Sequence, residues 1–243
     1  MVKLRIFRFD PSKWSQYYME YDIPIRENMT ILDALLYIKE ELDPSLTFRY
    51  ACKAGLCGSC GIKVNGRETL ACQTRIEWFG EGKVTLEPLS NYPIIRDLVV
   101  DHEELFKKHA SVKPYIIRNE EGVDKEYLQT PNEREEFVQA ATCINCGLCY
   151  SACPTVSIDR RFLGPHALAQ AYRYIMDNRD SEPSARLTIV DTLHGVWRCH
   201  FIGSCSHVCP KGVDPALLIQ RVKRFFILSE RRLKRRRPAP LKS

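Results

Sequence analysis

Residues 143–154 read Cys143-Ile-Asn-Cys146-Gly-Leu-Cys149-Tyr-Ser-Ala-Cys153-Pro154. This is the spacing C-x2-C-x2-C-x3-C-P, in which a tight loop wraps three thiolates around one iron–sulfur cluster and sends the fourth to a second cluster. The sequence therefore predicts two clusters lying close together. It also predicts a fold in which this stretch meets a second group of cysteines.

The second group, residues 199–210, repeats the spacing imperfectly. It reads Cys199-His-Phe-Ile202-Gly-Ser-Cys205-Ser-His-Val-Cys209-Pro210, so an isoleucine stands where the first run has its second cysteine. An aliphatic side chain cannot bind iron. If the last cysteine of each run binds the cluster of the other run, one site has four thiolates and the other has three. The missing corner of the three-iron cluster would lie over Ile202. The predicted ligands are Cys143, Cys146, Cys149 and Cys209 for a [4Fe-4S] centre, and Cys153, Cys199 and Cys205 for a [3Fe-4S] centre.

A third group of cysteines begins at Cys52 and has the spacing C-x4-C-x2-C of plant-type ferredoxins, which indicates a loop around a [2Fe-2S] centre. Asn65-Gly66 is a strong hairpin signal, and a hairpin folded about that turn sets Cys60 opposite Ala71. The next residue, Cys72, then lies beside Cys60. The predicted ligands are Cys52, Cys57, Cys60 and Cys72, and all eleven cysteines of the chain are assigned.

Two other uses of cysteine fit this pattern less well. Zinc sites favour two paired C-x2-C knuckles. Disulfide frameworks are typical of small secreted domains with an even number of cysteines, whereas this chain has eleven, and its first residues are too charged for a signal peptide. We therefore expect a reducing, cytosol-facing compartment of a prokaryote.

The patterns between the cysteines predict an α+β fold of two domains. Residues 1–103 are predicted to form a β-grasp domain of plant-type ferredoxin kind, with a hairpin over residues 2–23 and a helix from Thr30 to Asp43. Further strands are predicted over residues 46–50 and 84–89. Residues 104–243 are predicted to form a mainly helical, bacterial-ferredoxin-like domain that binds the other two clusters. Its helices are predicted over residues 101–110, 131–141, 164–176, 184–193 and 214–229, with an extended connector over 112–119.

The net charge of +6 belongs to the C-terminal tail, residues 230–243, because residues 1–229 carry 29 basic and 29 acidic side chains. A short polybasic tail favours anionic lipid headgroups, and a disordered, solubilising end is the alternative. Nucleic acid is not expected, because no basic, aromatic-interleaved face occurs elsewhere. No apolar run approaches the ~20 residues of a membrane span.

Four phrases of the sequence, together with the order of the cysteine groups, carry a family resemblance. They are Arg96-Asp-Leu-Val-Val-Asp101, Lys113-Pro-Tyr-Ile-Ile117, Phe162-Leu-Gly-Pro165 and Cys209-Pro-Lys-Gly-Val-Asp-Pro215. Over residues 3–228 the chain resembles the iron–sulfur subunit of succinate dehydrogenase and fumarate reductase, the complex II family. The resemblance implies a relay of single electrons through [2Fe-2S], [4Fe-4S] and [3Fe-4S] between a flavoprotein with covalent FAD and a quinone at membrane anchor subunits. It also implies a peripheral position on the cytoplasmic side of the cell membrane, with no dicarboxylate site and no catalytic acid or base on this chain.

Matching this sequence to the family position by position implies that the quinone-site residues are Pro154, His200, Ile202 and Lys223. Ile158 occupies a position at which some members of the family have tryptophan. For Lys223 the alternative is an ordinary surface lysine, and for His200 a hydrogen-bonded histidine beside a cluster. The strongest rival function is a soluble, ferredoxin-like electron-transfer subunit of a thiol- or heterodisulfide-linked reductase. Those chains usually carry Cys-Cys-Gly repeats downstream, and no cysteine follows Cys209 in this sequence. The direction of the reaction stays open.

Overall fold

The computed structural model describes residues 1–80, 82–118 and 126–235, with side chains described up to residue 228. The predicted basic tail lies outside the described residues, except that the backbone of residues 230–235 continues the last helix. The strands within these ranges are β1 (Val2–Asp10), β2 (Ser15–Ile23), β3 (Gly61–Val64), β4 (Arg67–Leu70), β5 (Lys83–Glu87), β6 (Ile94–Arg96) and β7 (Val99–Val100). The α-helices are α1 (Ile31–Tyr37), α2 (Glu103–Ser111), α3 (Pro131–Glu135), α4 (Val138–Ala141), α5 (Leu148–Ser151), α6 (Pro154–Ile158), α7 (Gly164–Ile175), α8 (Pro183–Val190), α9 (Ser204–His207) and α10 (Pro215–Arg235).

The N-terminal part is a five-stranded mixed sheet in the order β2-β1-β5-β3-β4. β1 and β2 form an antiparallel hairpin, whereas β1 and β5 are parallel. Val2, Leu4 and Ile6 of β1 are buried, as the alternation of apolar and charged residues predicts. The predicted hairpin and the predicted β-grasp sheet are confirmed.

The helix that packs on this sheet begins where the sequence predicts. Thr30 accepts a hydrogen bond from the Asp33 backbone N–H, and Asp33 accepts one from the Thr30 backbone, which together form a capping box. Ile31 and Leu35 are buried against the sheet. A π-helical turn, Ile38–Leu42, extends the helix to Asp43, as predicted.

The predicted strand over residues 46–50 is wrong. The Thr47 backbone N–H donates to the Asp97 carboxylate at 2.9 Å, and the Thr47 carbonyl accepts from the Leu98 backbone N–H at 3.2 Å. The hydrogen bonds of the Thr47 backbone are therefore made with a loop about fifty residues further along the chain. In a strand they would be made with a neighbouring strand. Leu46 is buried, which explains its apolar character without a sheet.

The C-terminal part is mainly helical, as predicted, and is built around the buried helix α7, which contacts α2, α8 and α10. Three predicted helix bounds are wrong. The helix over residues 131–141 is divided into α3 and α4, because buried Phe137 has a non-helical φ of −126°. Helix α8 ends at Val190, because the chain turns back at Gly195, where a Cβ would collide with the Val190 carbonyl. Helix α10 continues past Ser229 to Arg235.

The two parts of the chain are joined by hydrogen bonds to the first cysteine run. The Asn91 side-chain amide donates to the carbonyls of Tyr150, Ser151 and Cys153 at 3.1, 2.8 and 3.2 Å. Three acceptors therefore share the single Asn91 amide nitrogen, which fixes the segment after the sheet onto the cysteine run. Across residues 1–80, 82–118 and 126–235, no helix has the length and apolar character that crossing a bilayer requires.

Candidate iron–sulfur centres and quinone pocket

The first candidate centre is formed by the loop over residues 52–60. Backbone N–H groups of Ala54, Leu56 and Cys57 all donate to the Cys52 sulfur, at 3.4, 3.3 and 3.3 Å. The loop achieves this curvature through left-handed conformations, including Gly55 with φ of 67°. Amides that converge on a sulfur stabilise negative charge there, as a metal-bound thiolate requires.

The hairpin β3–β4 brings the remaining two cysteines of this group together. The Ala71 backbone N–H donates to the Cys60 carbonyl at 3.0 Å, which confirms the predicted pairing of Cys60 with Ala71. Cys72 lies in hydrogen-bond contact with Cys60. Burial raises the pKa of the Cys60 thiol to about 12.

A second group of cysteines surrounds a cavity with an empty volume of about 390 Å³. Helix α5, whose first residue follows the left-handed Gly147, carries Cys149, and the loop before it carries Cys143 and Cys146. A cysteine from the second run joins them. The sulfur-bearing residues of this lining are Cys143, Cys146, Cys149 and Cys209.

A third group lines a neighbouring cavity with an empty volume of about 340 Å³. Cys153 precedes α6, Cys199 precedes the loop to α9, and Cys205 lies within α9. Ile202 lines the same cavity. Each cavity therefore combines cysteines from both runs.

The predicted quinone residues fall beside the third group. Pro154, His200 and Ile202 line its cavity. Lys223 reaches the same region from α10, where its ammonium donates to the Cys199 carbonyl at 2.7 Å. Ile202 and its neighbour Phe201 are 60% and 55% exposed, so this cavity opens beside an apolar surface.

The thiols of the two cavities suit a group that carries positive charge. Burial, together with a smaller effect of neighbouring cysteines, raises the pKa of Cys146 to about 12 and that of Cys205 to about 11. Free thiolates are therefore unfavourable there, whereas iron deprotonates a thiol that it binds. Among the residues with described side chains, no three His, Cys, Asp or Glu converge on a single-ion site.

The second group of cysteines adjoins both of the other groups. A Cβ built on Gly58, in the first loop, would fall 2.8 Å from the Cα of Cys146 in the second group. Cys149 of the second group and Cys205 of the third are close enough to interact electrostatically.

Two residues that hold these groups in place were not found by sequence reasoning. One is Asn91, which adopts a left-handed φ of 68°. The other is Lys108 of α2, which is buried and donates to the Tyr150 hydroxyl at 3.0 Å and the Phe162 carbonyl at 2.8 Å. Asn91-Tyr-Pro93 is a recognisable turn signal, but it does not indicate contacts some sixty residues away.

Comparison with known proteins agrees with this geometry. Residues 3–107 match the 2Fe-2S iron–sulfur cluster binding domain, and residues 139–213 match the 4Fe-4S dicluster domain. The chain is 44% identical over 225 residues to the fumarate reductase iron–sulfur subunit of Mycobacterium tuberculosis, covering 91% of each chain. It is 36% identical over 231 residues to the succinate dehydrogenase iron–sulfur subunit of Paracoccus denitrificans, covering 93% of this chain and 88% of the relative.

A solved structure, the Mycobacterium smegmatis Sdh1 complex in the apo form, contains a chain that superposes with a TM-score of 0.85 at 27% identity. The match covers 99% of this chain and 98% of that one. The α+β fold predicted from the sequence, with a sheet-rich ferredoxin domain before a helical one, is therefore confirmed. The chain belongs to the family of iron–sulfur subunits of fumarate reductase and succinate dehydrogenase.

Proposed function

We propose that this chain is the electron-transfer subunit of a succinate:quinone oxidoreductase and relays single electrons between a flavoprotein with covalent FAD and a membrane quinone. The observation that carries this proposal is the position of the second cysteine group, which adjoins both of the others. The first two groups touch at Gly58 and Cys146, and the second two are linked by Cys149 and Cys205. Groups arranged in this way give electrons a path through the chain from one group to the next.

In this proposal each cysteine group holds one cluster. Cys52, Cys57, Cys60 and Cys72 bind [2Fe-2S], Cys143, Cys146, Cys149 and Cys209 bind [4Fe-4S], and Cys153, Cys199 and Cys205 bind [3Fe-4S]. The presence of Ile202 in the lining of the three-cysteine cavity supports the three-iron assignment, because that side chain offers no ligand.

The clusters, when bound, supply one-electron oxidation and reduction. The protein holds them, excludes water from the buried thiolates and donates hydrogen bonds to the sulfurs, as the amides around Cys52 do. No acid or base of this chain is assigned to the dicarboxylate reaction, which belongs to the flavoprotein in this proposal.

We assign quinone binding to Pro154, His200, Ile202 and Lys223, at the interface with membrane anchor subunits. The exposed apolar pair Phe201 and Ile202 beside the third cavity supports contact with an apolar partner there. The Lys223 ammonium, 2.7 Å from the Cys199 carbonyl, supplies positive charge next to this pocket. Positive charge stabilises a quinone oxygen that gains electron density.

The remaining assignments concern the whole chain. We place the domain division near residue 103, between β7 and α2. We also propose a peripheral location on the cytoplasmic side of the cell membrane, where the basic residues 230–243 meet anionic headgroups.

Anaerobic purification with metal analysis tests the proposal. About nine iron atoms per chain are expected at full occupancy, together with electron paramagnetic resonance signals of three distinct centres. A flavoprotein and small hydrophobic subunits are expected to co-purify. Zinc in place of iron would overturn the cluster assignment, and iron–sulfur protein without hydrophobic partners would favour a soluble reductase subunit.

A further inference from the structure

Lys108 of α2 is a buried lysine whose ammonium is enclosed by oxygen atoms of the protein. The ammonium donates to the Tyr150 hydroxyl at 3.0 Å, the Arg160 carbonyl at 2.5 Å and the Phe162 carbonyl at 2.8 Å. An ammonium has three N–H groups and no acceptor, so these three oxygens satisfy it completely. The folded chain therefore holds a positive charge away from water at this point.

The partners of Lys108 belong to the surroundings of the second and third groups of cysteines. Tyr150 directly follows Cys149 of the second group on α5, and it lies three positions before Cys153 of the third group. Phe162 lines the cavity of the third group. The ammonium is thus bonded to one residue in the stretch that connects the two groups, and to another in the wall of the third cavity.

The negative charge that accompanies Lys108 is on the protein surface. Glu104 lies one helical turn earlier in α2, and its Oε1 is 3.5 Å from the Lys108 ammonium. The Glu104 side chain is 56% exposed, whereas that of Lys108 is 8% exposed. Water screens an exposed charge more strongly than a buried one, so the carboxylate cancels only part of the field of the ammonium inside the protein. A net positive potential is left on the inner side of this ion pair.

We propose that Lys108 raises the reduction potentials of the [4Fe-4S] and [3Fe-4S] centres. One-electron reduction adds a negative charge to a cluster, and a nearby positive charge stabilises this reduced form. Net charge and solvent exposure are among the properties of the surroundings that set the potential of an iron–sulfur cluster. This inference rests on the proposed function, because it requires clusters at both groups of cysteines.

The test is a redox titration of the purified complex, followed through the electron paramagnetic resonance signals of the two centres. Lys108→Met keeps most of the side-chain volume and removes the charge. A unit charge roughly 10–20 Å from a cluster, at an effective dielectric constant of about 20, changes a one-electron equilibrium by about four- to fifteenfold. Reduction is expected to become less favourable by this factor, which lowers the midpoint potentials by about 35–70 mV.

Glu104→Gln is the second variant, and its expected shift has the opposite sign. The change removes the partial compensation of the Lys108 charge and leaves the three hydrogen bonds of the ammonium in place. Reduction is expected to become about two- to threefold more favourable, less than the effect of Lys108 because water screens the exposed carboxylate. This raises the midpoint potentials by about 20–30 mV. Damage to the structure does not explain a fall in one variant and a rise in the other.

The neighbouring ion pair on α2 supplies matched controls. Glu103 and Lys107 are also four residues apart and lie 2.8 Å from each other, but their side chains are 66% and 65% exposed. Lys107→Met and Glu103→Gln therefore make the same chemical changes in contact with water. Both control variants are expected to leave the two midpoint potentials unchanged.

Unchanged potentials of both centres in Lys108→Met, or an equal fall in Lys107→Met, would overturn the inference. A fall in Glu104→Gln would also overturn it. If Lys108→Met lost the clusters, Glu104→Gln would decide the matter alone, since a rise supports the inference and an unchanged potential rejects it. Absence of the [4Fe-4S] and [3Fe-4S] signals from the unmodified complex would contradict the proposed function instead.

Discussion

Gly58 and Cys146 are in backbone contact, since a Cβ added to Gly58 would come within 2.8 Å of the Cα of Cys146. The loop around the first candidate centre therefore rests directly on the loop around the second. The absence of a side chain at Gly58 sets how closely these two loops approach. This contact leads to the first prediction.

Gly58→Ala is expected to destabilise the protein by about 2–5 kcal/mol. The φ of 73° is unfavourable for alanine by about 1–2 kcal/mol, and forcing a methyl group against Cys146 adds roughly 1–3 kcal/mol. Urea unfolding followed by circular dichroism measures the loss. Gly66→Ala is the matched control, because its φ is 80° but nothing lies within 4 Å of the added Cβ. Equal losses in the two variants would show that the contact with Cys146 does not matter.

Asn91→Asp is expected to weaken the attachment of the sheet domain to the first cysteine run. The change replaces an N–H donor shared by three carbonyls with a carboxylate, which those carbonyls repel. We expect a loss of about 2–3 kcal/mol, the effect of a buried group left without its partners. The urea midpoint measures it. A loss in Asn91→Gly as large as that in Asn91→Asp would contradict the charge argument, because glycine accepts the left-handed φ and brings no carboxylate.

Ile202→Cys is expected to convert the proposed three-iron centre into a four-iron centre. The side chain of residue 202 lines the cavity of Cys153, Cys199 and Cys205, so a thiol at this position supplies the fourth ligand. The three-iron resonance of the oxidised protein should shrink, and iron per chain should rise by about one. Ile202→Ala, which offers no sulfur, should keep the three-iron resonance. An undiminished three-iron signal in the cysteine variant would reject the assignment.

Lys223→Ala is expected to lower quinone turnover at least tenfold, the typical effect of removing a charged hydrogen bond of about 1.5–3 kcal/mol. All three clusters should persist, and succinate oxidation with an artificial acceptor should stay close to that of the unmodified complex. The neighbouring exposed cation on α10 provides the control, Arg224→Ala, which should leave both assays unchanged. Equal loss in both assays of the lysine variant would argue for a structural role through the Cys199 carbonyl.

The sequence predicted those features that local spacing determines. The two-residue turn at Asn65-Gly66 fixed the pairing of Cys60 with Ala71, because turn length sets the register of a hairpin. The cysteine spacing identified the three groups, and the capping box identified the start of α1. The turn, the cap and each cysteine run are short local stretches of the sequence.

The features that sequence reasoning missed depend on distant partners. Residues 46–50 are alternately apolar and polar like a strand, yet their backbone bonds to Asp97 and Leu98. Phe137 interrupts a helical pattern because its ring is buried, which periodicity alone does not reveal. His166 reads as one more residue of a buried helix, and only the folded chain brings it to Asn145.

The division of each cavity between two cysteine runs bears on how the protein matures. The cysteines proposed to bind [2Fe-2S] all lie within residues 52–72, so that loop is complete early in translation. By contrast, both cavities of the helical domain lack part of their cysteine lining until residues 199–209 have left the ribosome. Under the proposed ligand assignment, delivery of iron to the helical domain has to wait until Cys209 has been synthesised.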